Sequence, residues 1–425
     1  MKKTFTTLFL AGMQLAFSQT NPTLIIKDIN VISMTDHQSI IKKSIAISKG
    51  IIFGINDFGK LPKDKNTVII DGTNQYIMPS LTEMHSHLPE KEKIDTILTS
   101  YIASGVTHVR VMFSQEPPIL MREIISKKEI KPKIYYPFLL TKDLAVSSQI
   151  QMDSLFLDIK KNNYDFVKMY SMQWRADFND TIFDRIMFSA RKNNVIVCGH
   201  YPNKIKLDRV LTSGFKSIEH LGGYANLPED KIALAIELTK KNEVYNCPTL
   251  DWDVMSYDLP FPNEYSKRLI YHIAPKHYIE KWDNAMQVVI SENGAEKLQK
   301  GKEEYLPTYQ KKMSILKRLN DSGNLLLLGG EAGNLYQLEG FNMYEEMVNW
   351  SKAGISNIDI LKAATINPAM FFNEESKWGT IEVGKEADLL ILLENPLSNI
   401  ENMKTLSKII MGGKIYDKLE LLKKI

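Results

Sequence analysis

His85 and His87 stand one residue apart at the end of an apolar run, Tyr76-Ile-Met-Pro-Ser-Leu-Thr-Glu-Met-His-Ser-His-Leu88. In an extended backbone the side chains at i and i+2 leave the same side, so both imidazoles can reach one ion. Imidazole is the commonest protein ligand for a catalytic transition metal, which makes metal-assisted chemistry the first reading. A His-x-His pair also arises by chance, and a surface pair need bind nothing. The decision rests with the residues downstream.

Further polar residues close other strand-like runs. Lys168 sits in Phe166-Val-Lys-Met-Tyr170, His200 ends Cys198-Gly-His200, His220 ends Ser217-Ile-Glu-His220, and Glu331 lies in Gly329-Gly-Glu-Ala-Gly333. A lysine on an otherwise apolar strand is costly unless it is neutralised, paired or modified. Four of the eight histidines take such positions; His37, His108, His272 and His277 do not. Three more side chains are candidates for substrate contact. Tyr170 shares a strand face with Lys168 and points toward the mouth, to orient substrate or to pack as a rim aromatic. Tyr201 follows His200 as a first loop residue. Arg110 can bind a substrate carboxylate or form a structural ion pair.

The elements that must carry these groups are legible as alternating strands and helices. Strands are expected at 77–81, 107–113, 134–140, 166–170, 195–200, 217–221, 244–249 and 325–329. Amphipathic stretches such as Asp180 to Asn193, with Asp180 as N-cap, and Pro228 to Asn242 lie between them. Eight such repeats point to an α/β fold, a (β/α)₈ TIM barrel over residues 79–376, whose site lies at the carboxyl ends of its strands. The stretch 251–322 does not fit a repeat. It is expected to form a lid or an oligomer surface, with His272 and His277 packed in it. Short β runs separated by turns fill 19–78 and return in 377–425, so a small β-sandwich domain assembled from both termini is expected. The Lys-rich tail after Tyr416 reads as a solvated end.

Composition narrows the partners. A chain of 425 residues, 44% hydrophobic, can bury a large core and exceeds one typical domain. Its formal net charge of +3 gives no basic field for nucleic acid, and no nucleic-acid motif occurs. A small-molecule substrate is the default. Residues 1–18 read as a signal peptide, with Lys2-Lys3, an apolar stretch and Ala16-Phe-Ser18 before a cleavage point at Gln19. The apolar stretch is too short for a stable membrane anchor. A periplasmic or secreted address follows. Cys198 and Cys247 fall on strands separated by a third, so two inert core thiols are expected rather than a disulfide.

Several motifs, in order, resemble the amidohydrolase superfamily, in its imidazolonepropionase- and prolidase-like branch. They are Met78-Pro-Ser-Leu-Thr-Glu-Met-His-Ser-His-Leu88, Gly105-Val-Thr-His-Val-Arg110, Phe166-Val-Lys-Met-Tyr170, Cys198-Gly-His-Tyr-Pro202, Ser217-Ile-Glu-His-Leu221, Cys247-Pro-Thr249, Thr365-Ile-Asn-Pro368 and Gly384-Lys-Glu-Ala-Asp-Leu389. The resemblance implies two divalent metal ions, usually zinc: His85 and His87 hold the first, His200 and His220 the second. It implies that Lys168 bridges both as an N6-carboxylated lysine, and that a metal-activated hydroxide hydrolyses an amide or other C–N bond. The strand-eight carboxylate, normally Asp, contacts metal and shuttles the proton; Glu331 stands there. Its extra methylene shifts the carboxylate by about 1.5 Å, a change that leaves two readings: a base on an adjusted loop, or impaired chemistry in a ligand-binding or scaffold protein. Ester or phosphoester hydrolysis is a further alternative for the same metal pair. Ser80 and Glu83 also replace the family's usual Gly and Asp, at positions that support the strand.

Overall fold

Runs of β-branched residues near the amino end form five short strands: β1 (Leu24–Val31), β2 (Ile41–Ser48), β3 (Ile51–Asn56), β4 (Val68–Asp71) and β5 (Tyr76–Pro79). The structure is a computed structural model that describes residues 21–35, 40–143, 148–257 and 262–425. The expected leader at 1–18 and His37 lie outside the described residues.

After Ser80 the chain enters a second set of strands. These are β6 (Leu81–Leu88), β7 (Val106–Ser114), β8 (Lys133–Tyr135), β9 (Pro137–Leu140), β10 (Phe166–Met169), β11 (Val197–Gly199), β12 (Ser217–Glu219) and β13 (Tyr245–Cys247). All pair in parallel, in the orders β6-β7-β8 and β9-β10-β11-β12-β13, with Tyr136 alone between β8 and β9. Helices such as Ile94–Ala103, Asp180–Asn193 and Glu229–Lys241 connect successive strands. The result is an α/β domain with a TIM-barrel-like arrangement.

Three strands near the carboxyl end, β14 (Leu389–Leu392), β15 (Leu406–Met411) and β16 (Lys414–Asp417), return to the first set. β14 lies antiparallel to β5, Leu389 opposite Pro79 and Leu392 opposite Tyr76. The order β16-β15-β14-β5-β1-β2-β3, with β4 on β1, joins strands from the amino- and carboxyl-terminal parts of the described residues in one hydrogen-bonded sheet. Ile26, Ile45, Ile77, Ile381 and Leu389 bury one apolar cluster against it.

Several expectations need correction. The run 77–81 is not the first strand of the parallel set: it splits at Ser80, β5 joining the terminal sheet and β6 carrying both histidines within the strand. The expected strand 325–329 is irregular backbone with a single bridge, Leu326 to Asn246. Its backbone still bonds both neighbours, Leu327 N–H donating to Asn246 O at 2.9 Å and Leu328 O accepting from Met84 N–H at 3.1 Å. A Cβ on Gly329 would lie 2.7 Å from Cys247 Sγ and 2.8 Å from His85 Cβ, so this segment packs too closely for a side chain. The N-cap of the 180–193 helix is Asn179, whose side chain accepts from Ile182 N–H, rather than Asp180. The tail is only partly a solvated end: Lys418–Leu422 is a helix with Leu421 buried and Lys418 Nζ donating to the Lys404 carbonyl at 3.0 Å, while Lys423 and Lys424 are exposed.

The stretch 251–322 is helical over Leu250–Ser256, Leu269–Ile273, Lys276–Asn293 and Ala295–Asp321. Cys198 and Cys247 are free and buried. Among the described residues no helix is long and apolar enough to cross a membrane.

Candidate metal centre

Alternation along β6 aims His85 and His87 into the same space, their ring centroids 5.5 Å apart. His85 is fully buried and His87 partly exposed at the cavity floor. Lys168 comes from the middle of β10 and is fully buried. His200 follows β11 and His220 follows β12, with ring centroids 5.1 Å apart; His220 lies 4.8 Å from His85. His220 reaches the group because its φ is +61°, which turns a residue next to inward-facing Glu219 back toward the same centre.

Glu331 closes the cluster. Oε1 lies 3.5 Å from both His85 Nε2 and His87 Nε2, and Oε2 lies 3.3 Å from His220 Nδ1. Its backbone is fixed on both sides. Glu331 N–H donates to His85 O at 3.1 Å, and the preceding Gly330 N–H donates to the Glu83 carboxylate at 2.9 Å. Glu83 also accepts from His85 N–H at 2.8 Å, tying the turn at Glu331 to the strand that carries the histidines. Burial pushes the Glu83 carboxyl up to about 8 against those two amide bonds.

The electrostatics suit ligation. Burial, reinforced by the neighbouring Lys168, lowers His87 and His200 to about 3, and burial lowers His85 and His220 well below the usual range. Neutral imidazoles keep a lone pair for an ion. Burial also lowers Lys168 and raises Glu331, each charge opposing the other's shift. His85 Nε2, Lys168 Nζ and Glu331 Oε2 are buried with no hydrogen-bond partner, a costly state for three polar atoms facing one space. One ligating atom each from His85, His220 and Glu331 lies within 4.8 Å of the others. The donor set therefore fits a metal centre.

Partners that the sequence did not reveal orient these groups. Glu219 Oε2 accepts from His85 Nδ1 at 2.8 Å, which leaves Nε2 facing the cluster. Thr249 Oγ1 lies 2.6 Å from His220 Nδ1. A cavity of about 700 Å³ opens above, walled by Phe113, Tyr170 and Trp252. Glu219 was hidden because it precedes His220, and strict strand alternation assigns the two to opposite faces.

The three candidates for substrate contact divide. Tyr170 lines the cavity, its ring 5.2 Å from His200 and 5.2 Å from Lys168 Nζ. Tyr201 does not: its hydroxyl donates to the Ile205 carbonyl, and it faces a separate groove between helices. Arg110 is fully buried beneath the cluster rather than in the cavity. Its guanidinium donates to both Glu219 oxygens at 2.9 and 3.0 Å, to Ser217 Oγ at 2.8 Å and to the Met84 carbonyl at 2.6 Å. Nothing of it is left for a substrate. Arg110→Met is expected to cost about 3–5 kcal/mol, because it strands Glu219 as an unpaired buried charge. A urea midpoint equal to that of the parent protein would contradict this.

Residues 76–416 match the model of the amidohydrolase family. The chain belongs to the amidohydrolase family. A curated relative, the dihydroorotase of Caldanaerobacter subterraneus subsp. tengcongensis, is 37% identical to this amidohydrolase over 83 residues, 18% of the chain and 19% of that protein. The chain thus spans about a fifth of the length of the curated relative it matches. Solved structures agree in fold over nearly the whole length. A Xaa-Pro dipeptidase with bound methionine in its active site has a TM-score of 0.66 at 19% identity, covering 93% of this chain and 99% of that one. A molinate hydrolase has a TM-score of 0.69 at 17% identity, covering 94% and 96%. At these identities the amidohydrolase fold is what is shared.

Proposed function

We propose that this amidohydrolase-family hydrolase is metal-dependent and cleaves an amide or other carbon–nitrogen bond of a small substrate, a dipeptide or cyclic amide being the leading classes. The reading is carried by the convergence of the three unpartnered buried atoms on His85, Lys168 and Glu331. His85 and His87 would hold one divalent ion and His200 and His220 a second, with a carboxylated Lys168 and Glu331 as further ligands; the nitrogen and carboxylate donors suit zinc. When bound, such ions activate water and polarise a carbonyl oxygen. The chain supplies the rest. Lys168, with its ammonium disfavoured by burial, condenses with carbon dioxide: the amine nitrogen bonds the carbon, one proton leaves, and an N6-carboxylate results. Glu331 takes the proton of the attacking water and hands it to the leaving nitrogen. Phe113, Tyr170 and Trp252 enclose the substrate and limit bulk water.

The parallel strands, with residues 325–328 bonded to both neighbours, support a closed (β/α)₈ barrel whose active face holds this cluster. The N-terminal sequence supports export to the periplasm or beyond. The names of similar proteins, a dipeptidase, a molinate hydrolase and a dihydroorotase, support hydrolysis without selecting a substrate.

The deciding experiment is elemental mass spectrometry on protein purified with zinc and bicarbonate, beside His200→Ala. Two equivalents of metal, falling in the variant, are expected. Metal-free protein would overturn the reading and leave a ligand-binding role. A panel of chromogenic esters, phosphoesters and dipeptides then separates C–N hydrolysis from its alternatives.

A further inference from the structure

The cavity has a second charged position that the proposed hydrolysis does not use. Glu339, partly buried, lines its wall. Its backbone is pinned to the helix Ile94–Ala103 and the residue that follows it. The Ser100 hydroxyl donates to the Glu339 carbonyl at 2.7 Å. Gly340 adopts φ +82°, and a Cβ there would lie 2.2 Å from Ser104 Oγ and 3.1 Å from Tyr101 Cα. Only glycine fits so close an approach, and the position of Glu339 is fixed by it.

The other charges along the wall are already engaged. Glu90 pairs with Lys93 at 2.9 Å. Asp253 accepts from Lys312 Nζ at 2.6 Å and from the Tyr305 hydroxyl at 3.0 Å. Burial raises the Glu339 carboxyl, and Lys93, whose charge opposes that shift, is held by Glu90. Among the described residues it is the cavity carboxylate outside the histidine cluster that lacks a side-chain partner. The same cavity is lined by aromatic faces, Phe113 and Tyr170 with centroids 5.6 Å apart and Trp252 6.4 Å from His87. Aromatic faces accept an apolar span and attract a cation.

We propose that Glu339 is a specificity-determining residue that receives a positively charged nitrogen, an ammonium or guanidinium, on a substrate whose scissile bond lies at the histidine cluster. The placement of the scissile bond rests on the hydrolase reading above; the charge preference does not. A substrate cation at this point gains a charge-assisted hydrogen bond that a neutral analogue of the same length lacks.

Two sets of probes test this on the zinc-loaded full chain: the Nα-acetyl p-nitroanilides of lysine, norleucine and glutamate for turnover, and the matching Nα-acetyl amino acids for binding by calorimetry. The protein is expected to bind Nα-acetyllysine about tenfold or more tightly than Nα-acetylnorleucine. Glu339→Gln should bring the lysine compound down to the norleucine compound, with the anilide loss falling in KM rather than kcat. Glu339→Lys should turn the preference toward glutamate. Charge-selective binding without cleavage supports the role of Glu339 and counts against hydrolysis. Cleavage without charge preference, or an equal loss across all three compounds in Glu339→Gln, overturns the assignment of Glu339.

Discussion

Lys168→Ala, purified with zinc and bicarbonate, is expected to lose roughly 10³-fold or more of kcat/KM and to regain part of it when propionate is added. The size follows from the position. Lys168 is fully buried, its Nζ has no hydrogen-bond partner, and the Tyr170 ring centroid lies 5.2 Å from it. A bare ammonium there would meet the Glu331 charge but repel any bound cation. An N6-carboxylate reverses that sign and offers two oxygens where one nitrogen stood. Alanine removes the group but leaves the space of its side chain, into which a short carboxylate can enter. Methionine at the same position fills that space, so Lys168→Met should lose activity without rescue. Carbon-13 NMR of protein equilibrated with labelled bicarbonate gives an independent reading, a carbamate resonance present in the parent and absent in both variants. Full activity in Lys168→Ala would remove the bridging role altogether.

Glu331→Gln is expected to lower kcat by about 10²–10⁴-fold with little change in KM, the range for removing a general acid–base group. The informative variant is Glu331→Asp. The glutamate places Oε1 3.5 Å from two histidines and Oε2 3.3 Å from a third, so its length matches the distance that the turn leaves open. Its own φ of +49° and the bond from Gly330 N–H to Glu83 hold that turn in place. Aspartate would withdraw the carboxylate by about 1.5 Å, and a misplacement of about 1 Å can cost about a hundredfold. A drop of that order in Glu331→Asp would mark glutamate as the adapted base. Activity gained by Glu331→Asp would instead mark the parent protein as impaired.

His85, His87, Lys168, His200 and His220 were legible because strand periodicity and residue chemistry pointed the same way. Glu331 was legible as a carboxylate ending a strand-like run, although the run itself is irregular. Gly329 there packs too closely against His85 and Cys247 for a side chain, a constraint that a local pattern does not encode. Arg110 and Tyr201 show another limit. Their residue types suit substrate binding, but Arg110 is consumed by Glu219 and Tyr201 turns toward Ile205, partners distant in sequence or set by loop geometry. Glu219 and Thr249 carried no local signal, since their roles arise only when His85 and His220 come within reach. The split at Ser80 was masked by an apolar run continuous in composition yet shared between two sheets.

The pairing of β5 with β14 has a consequence for the order in which the protein can be made. Pro79 and Leu389 emerge from the ribosome ~300 residues apart, a delay of roughly 15–60 s at ordinary translation speeds. Through that interval one edge of β5 stays unpaired, one residue upstream of the strand that bears His85 and His87. The strands that begin the chain cannot finish their sheet until the last segment arrives. Loss of that segment would leave the nascent histidine strand beside an open β edge, a template for association between unfinished chains.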